Sequence, residues 1–167
     1  MNTKLLEILK PPERSLEVPT VKQWADFESQ WHRVPADFKR FIATYGTGTI
    51  GEFIELWNPA SRNEYMNLSE KISTTLSTFR EWPRPGLKLF PEPGGSLPFG
   101  NTGNGDILAW EVDGDPEKWR IVVIDSRSSE TETFDMCLTE WLIALLRRQI
   151  TCKIFPSFPG SIPMFVQ

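Results

Sequence analysis

Apolar residues recur at helical spacing in four stretches of the chain. Val21, Trp24, Phe27 and Trp31 share one face of a helix starting at Thr20, where Thr20 and Gln23 have capping-box spacing. A second helix begins at Pro35, whose fixed φ suits a first helical position; it buries Phe38, Phe41, Ile42 and Tyr45 and stops at Gly46. A third fits 68–81, with Asn67 and Glu70 at the cap and its partner position, Leu68, Ile72, Leu76 and Phe79 on one face, and Pro83 and Pro85 as stops. The fourth covers about 138–149, with Leu138, Trp141, Leu142 and Leu145 inward and Arg147 and Arg148 in a last turn that favours positive charge. Residues 1–19 read as a short helical piece followed by a linker containing Pro11, Pro12 and Pro19.

Between these stretches the pattern changes to strands. Residues 48–57 are β-prone, with Phe53, Ile54, Leu56 and Trp57. Residues 83–105 are rich in Pro and Gly and read as loop, apart from a short strand candidate at 87–90. A hairpin follows: 106–112 is one arm, Asp113-Gly114-Asp115-Pro116 the turn, and 119–125 the other arm. Ile121-Val122-Val123-Ile124 does not alternate, which predicts a central strand covered on both faces. A last strand fits 132–136. Beyond Phe155 the chain sets Pro156, Pro159 and Pro163 among Phe158, Ile162 and Phe165, a tail apolar enough to lie on the domain.

A length of 167 residues suits one domain, and seven Trp with eleven Phe supply its core. The net charge is −4, unevenly spread. Residues 46–135 carry 15 acidic and 8 basic groups, whereas the two ends together are net positive. An acidic centre repels phosphate backbones and attracts basic proteins, so no direct nucleic-acid partner is expected. Cys137 and Cys152 make neither a CxxC pair nor a disulfide framework and read as packed thiols of a reducing compartment. No targeting segment and no apolar run of about 20 residues is present, so a cytoplasmic protein without membrane attachment is expected.

The segments that look chemical lack the context their chemistry requires. Gly46-Thr47-Gly48-Thr49-Ile50-Gly51 spells a dinucleotide fingerprint, but a helix precedes it and β-prone residues follow, the reverse of what phosphate binding at a helix N-terminus needs. Gly94-Gly95-Ser96-Leu97-Pro98 resembles a nucleophile elbow closed by Pro instead of Gly, and the single histidine, His32, could not serve several sites. Gly100-Asn101-Thr102-Gly103-Asn104-Gly105-Asp106 has calcium-loop composition without the closing Glu, and reads as a turn feeding a strand at 107. Asp113, Asp115 and Glu117 lie on a polar turn, where carboxyls stay solvated and are not tuned for acid–base work. These readings predict no enzyme activity, no metal and no cofactor.

The order of elements resembles the SUKH superfamily. Val34-Pro35-Ala36-Asp37-Phe38 through Tyr45-Gly46-Thr47-Gly48 resembles the opening helix and glycine turn. Leu97-Pro98-Phe99-Gly100 and Gly105-Asp106-Ile107-Leu108-Ala109-Trp110 resemble its central motif, 119–124 the strand after it, and Leu138-Thr139-Glu140-Trp141-Leu142 the closing helix. The resemblance covers about 20–146. It implies a single α+β domain with a mostly antiparallel twisted sheet flanked by about four helices. The division expected is 1–19 as N-terminal extension and linker, 20–150 as the SUKH-like domain, and 151–167 as a tail packed on it.

The resemblance also implies a non-enzymatic protein-binding module. In bacteria that role is most often immunity, neutralising a cognate secreted toxin; a regulatory scaffold with several protein partners is the alternative. A nuclease toxin presents a basic active site, which an acidic surface would meet. Glu52, Glu55, Asp106, Glu111, Asp113 and Asp115 are the expected acidic contacts, with Trp57 and Trp110 as anchors against the plainer reading, which the pattern favours, that both pack in the core.

Overall fold

The computed structural model describes residues 2–155 and 164–167. In chain order the helices are α1 (Thr3–Ile8), α2 (Val21–Gln30), α3 (Ala36–Tyr45), α4 (Leu68–Glu81) and α5 (Leu138–Leu146). The strands are β1 (Thr49–Ile50), β2 (Ile54–Leu56), β3 (Gly95–Thr102), β4 (Ile107–Val112), β5 (Arg120–Ile124), β6 (Thr131–Phe134) and β7 (Phe165–Val166). They form one antiparallel sheet in the order β6-β5-β4-β3-β2-β1-β7. This is the α+β fold with a helix-flanked sheet that the resemblance implied.

Register separates the two faces of the sheet. Leu97, Trp110, Ile121 and Phe134 are paired across β3–β6 and form one apolar row. Phe38 of α3 meets Trp110 edge-on at 4.9 Å, and Trp141 of α5 lies 6.0 Å from Phe134, so α3 and α5 cover this face. The adjacent row, Pro98, Ala109, Val122 and Thr133, points the other way. There Ala109, Val122 and Ile124 pack with Phe79 of α4. Residues 121–124 are all buried, which is the double coverage their continuous apolar run predicts.

The helix signals resolve in detail. The Thr20–Gln23 capping box forms, and the Asn67 side chain accepts from Ser69 and Glu70 N–H. Val21, expected on the buried face of α2, is 89% exposed, because the first turn overhangs the α3 contact and only Trp24, Phe27 and Trp31 reach the core. The fourth helix ends at Leu146, not at 149, because Arg148 takes a left-handed φ of 57° and Gln149 N–H turns back to the Ala144 carbonyl at 2.8 Å. Leu5 and Leu9, on and just past α1, are fully buried, and the Tyr45 hydroxyl donates to the Leu9 carbonyl at 2.6 Å. Phe155 is buried against Phe53 and Trp141, and β7 pairs with β1. Pro156, Phe158, Pro159, Ile162 and Pro163 of the tail lie outside the described residues.

The main departure is β3. Residues 95–102, read as loop and turn, form a strand between β2 and β4 in the middle of the sheet. Its Pro and Gly serve close packing. Pro98 has no N–H to give, and the ladder with β4 shifts register between Pro98 and Gly100, a bulge that accommodates it. A Cβ on Gly100 would lie 2.5 Å from the Glu55 carbonyl of β2. The strand candidate at 87–90 reduces to a single bridge, Leu89 to Ser96.

Candidate partner-binding site

The eight residues singled out for partner contact fall in different places. Trp57 and Trp110 are 0% and 1% exposed. Trp57 donates from Nε1 to Asn101 Oδ1 at 2.7 Å, and Trp110 stacks on Phe99 with centroids 4.3 Å apart. Both indoles are therefore spent inside the molecule. Asp106 is also fully buried: Oδ2 accepts from the Thr102 hydroxyl at 2.9 Å and Oδ1 from Ser126 N–H at 3.0 Å. It closes the β3–β4 turn and ties down the chain after β5, so it is a structural carboxylate without surface to offer.

The exposed acids lie at opposite ends of the sheet. Glu52 occupies the β1–β2 turn, which meets the Thr102 end of β3, and Glu55 on β2 accepts from Asn101 at 2.9 Å. Asp113 and Asp115 lie on the β4–β5 turn, at the Gly95 end. Eight residues of β3 separate the two ends by about 23 Å at about 3.3 Å per residue. Glu111 is neutralised where it stands, because Arg120 donates to it from Nε at 2.8 Å and Nη2 at 2.6 Å.

The Gly95 end gathers acids that sequence order did not connect. The pairing of Ile121 with Phe134 brings Asp135 and the start of α5 beside the β4–β5 turn. Asp113, Asp115, Glu117, Asp135 and Glu140 are all exposed there. Each local role leaves carboxylate oxygen free: Asp115 caps the short 3-10 turn 116–118, Glu117 Oε1 accepts from Ala36 N–H at 2.9 Å at the start of α3, and Glu140 Oε2 accepts from Cys137 N–H at 3.3 Å at the start of α5. Three of these acids, Glu117, Asp135 and Glu140, rim a hollow of about 330 Å³ walled by Trp119, Met136 and Cys137. Lys118 lines it, and Arg33 lies 4.0 Å from Glu117, so carboxylates outnumber nearby cations. Asp135 and Glu140 were missed because they sit 20 or more residues beyond the turn; the strand before them was the available signal. Burial pushes the Cys137 thiol up to about 12, so it stays a neutral wall of the hollow. Burial does the same to Cys152, also to about 12.

A second polar cluster is internal. Glu17, at φ 54°, takes the Thr47 hydroxyl at 2.7 Å and Arg62 N–H at 2.9 Å, and its carbonyl takes Asn58 Nδ2 at 2.9 Å. Partial burial pushes its carboxyl up, but the hydrogen bonds from Arg62, Thr47 and Ser61 outweigh this and hold it below 4.5. A depressed folded value means stability present above the unfolded value and lost as pH falls through the folded one. Glu17→Ala is expected to cost about 1–2 kcal/mol at neutral pH, the range of a partly solvated charge-assisted hydrogen-bond set. Urea unfolding of both proteins should show that gap close as pH drops below 4.5; a gap independent of pH would mean that the carboxylate charge contributes nothing.

Among the described residues no group of three or more His, Cys, Asp or Glu could hold a metal ion. No helix there is long and apolar enough to cross a membrane. His32 packs its ring 5.1 Å from that of Trp119, beside the acidic end, with Nδ1 2.9 Å from the Arg33 carbonyl.

Compared with known proteins, residues 22–142 match the family model SUKH_6, described as SMI1-KNR4 cell-wall. No curated protein and no solved structure matches the chain. The matched span runs from α2 into α5 and takes in β1 through β6, so every described strand except β7 lies within it. With the family's order of elements present in this fold, the chain belongs to the SUKH superfamily.

Proposed function

We propose that the chain is an immunity protein: it binds a cognate secreted toxin with a basic surface, in the cytoplasm and without turnover, and so blocks it. Family membership supports a protein-binding module in general. The observation that carries the finer reading is the acidic end, where Glu117, Asp135 and Glu140 rim a hollow with an indole in its wall and Asp113 and Asp115 lie on the neighbouring β4–β5 turn. Such a hollow suits an arginine or lysine from the partner: carboxylates pair the head, and the apolar wall of Met136 and the edge of the largely buried Trp119 receive the stem. A nuclease is the toxin class whose basic substrate cleft best matches this charge.

The test co-expresses the chain with a toxin domain encoded beside it and follows growth and binding. Wild type should rescue growth. The triple reversal Asp113→Lys, Asp115→Lys and Asp135→Lys is exposed at all three positions and should stay folded, with loss of the Asp115 cap on the short turn costing about 1 kcal/mol. Its association rate should fall at least about tenfold at low salt, with a flatter salt dependence, as expected when electrostatic steering is removed. Rescue and rate unaffected by the reversal would move the interface elsewhere. No rescue by wild type, with several weaker partners retained on the immobilised chain, would favour a regulatory scaffold.

A further inference from the structure

We propose that the open cleft on the α4 side of the sheet is a second binding site, for a small hydroxylated molecule bearing a phosphate group. The cleft measures about 380 Å³ and is distinct from the acidic end. Ser96 N–H donates to the Lys88 carbonyl at 2.9 Å, Ser96 pairs with Glu111, and Glu111 pairs with Arg120. These four residues form one row across the sheet, about 14 Å long at about 4.8 Å per strand. Lys88 and Arg120 line the cleft at the two ends of this row.

Three observations define the ligand. Ser96 is only 5% exposed and lines the cleft; its hydroxyl makes no hydrogen bond among the described residues, and the surface it keeps opens on the cleft. That hydroxyl is therefore available from the cleft side, and a ligand oxygen above it would take the bond that water otherwise makes. The Glu111–Arg120 pair uses Nε and Nη2 of the guanidinium and leaves Nη1 to donate, while Lys88 is exposed and forms no ion pair among the described residues. Two cations against one carboxylate make the cleft locally positive in a chain of net charge −4. A cation would be repelled, and a neutral polyol would leave that charge uncompensated. A phosphomonoester offers three terminal oxygens and two negative charges to Ser96, Lys88 and Arg120. Thr131 and Thr133 on the β6 side carry hydroxyls for the body of the molecule.

The full chain is titrated with glycerol 3-phosphate, inorganic phosphate and glycerol, and backbone amide shifts are followed by NMR. Saturable shifts centred on Lys88, Ser96, Arg120 and Thr133 are expected with both phosphates, tighter with glycerol 3-phosphate, and absent with glycerol. Lys88→Glu should weaken binding about tenfold or more, the factor that loss of one charge-assisted hydrogen bond produces, at an unchanged melting temperature. Three results would each overturn the site: linear, unsaturated shifts spread over the surface; equal binding of glycerol; or equal affinity in Lys88→Glu. A failed Asp113, Asp115 and Asp135 reversal has no bearing on it, because those residues do not line the cleft.

Discussion

Trp110→Ala should lower the stability of the domain by about 3–5 kcal/mol, the usual cost of deleting a buried indole without collapse of the hole. The side chain is 1% exposed. It stacks on Phe99 at 4.3 Å and 24°, meets Phe38 edge-on at 4.9 Å, and lies 6.1 Å from Trp119. These rings come from β3, α3 and the segment before β5, so the indole is where three parts of the core meet. Because a domain is stable by only about 5–15 kcal/mol, the loss should appear as a melting point lower by roughly 6–20 °C. Asp113→Ala on the adjacent turn should change stability by no more than about 0.5 kcal/mol. The two substitutions therefore separate packing from recognition. If Trp110→Ala melted like wild type but bound its partner poorly, the indole would be a surface anchor and the core described above would be wrong. Scanning calorimetry on both variants, followed by binding on whichever remains folded, decides the matter.

The same contrast shows which features could be read from residue order. α4 was legible to the residue, since a cap, an apolar stripe and a proline stop all agree: Asn67, the Leu68–Ile72–Leu76–Phe79 face and Pro83. The β4–β5 hairpin was legible for the same reason. β3 was not. Gly95, Pro98 and Gly100 carry weak strand propensity, and the reasons for their presence are tertiary. A Cβ on Gly95 would lie 2.5 Å from the Leu89 backbone, and Pro98 is tolerated only through the bulge beside it. Local composition thus argued for loop where neighbouring backbones demanded the absence of side chains.

The acidic surface was legible as a sum and not as a place. The surplus of carboxylates between 46 and 135 is real, but strand direction distributes it. Glu52 and Glu55 go to one end of the sheet and Asp113 and Asp115 to the other. Asp106 is consumed in a turn and Glu111 in an ion pair. Asp135 and Glu140 join the second group only because β6 returns antiparallel to β5 and because Asp37 holds Thr139 N–H at 2.9 Å, fixing α5 beside α3. Charge counted along a chain predicts the sign of a partner; register predicts where it can sit.

Register also depends on a glycine, and Gly46→Ala should destabilise the domain by about 4 kcal/mol or more, among the largest single-residue effects ordinarily seen. Gly46 follows α3 at φ 73° and ψ −151°, a region essentially closed to residues with a Cβ. The added methyl would lie 2.1 Å from the Leu16 carbonyl oxygen and 2.7 Å from the Leu16 nitrogen, both backbone atoms with no rotamer to escape through. Moving Leu16 away breaks the bond from Thr47 N–H to the Leu16 carbonyl at 3.1 Å and pulls Glu17 from Thr47, Arg62 and Asn58. Gly114→Ala is the control for a positive φ alone. Gly114 has φ 59°, and a methyl added there would meet nothing within 4 Å, so it carries the backbone cost of about 1–2 kcal/mol alone. The difference between the two variants in urea unfolding reports the close approach together with the more restricted backbone of Gly46. The Gly46 effect should be at least about twice the Gly114 effect, and the difference should vanish in part when Glu17→Ala is already present, because the same strap is then loose. Equal destabilisation by the two alanines would mean that the 10–19 segment yields at no cost and does not hold the glycine turn.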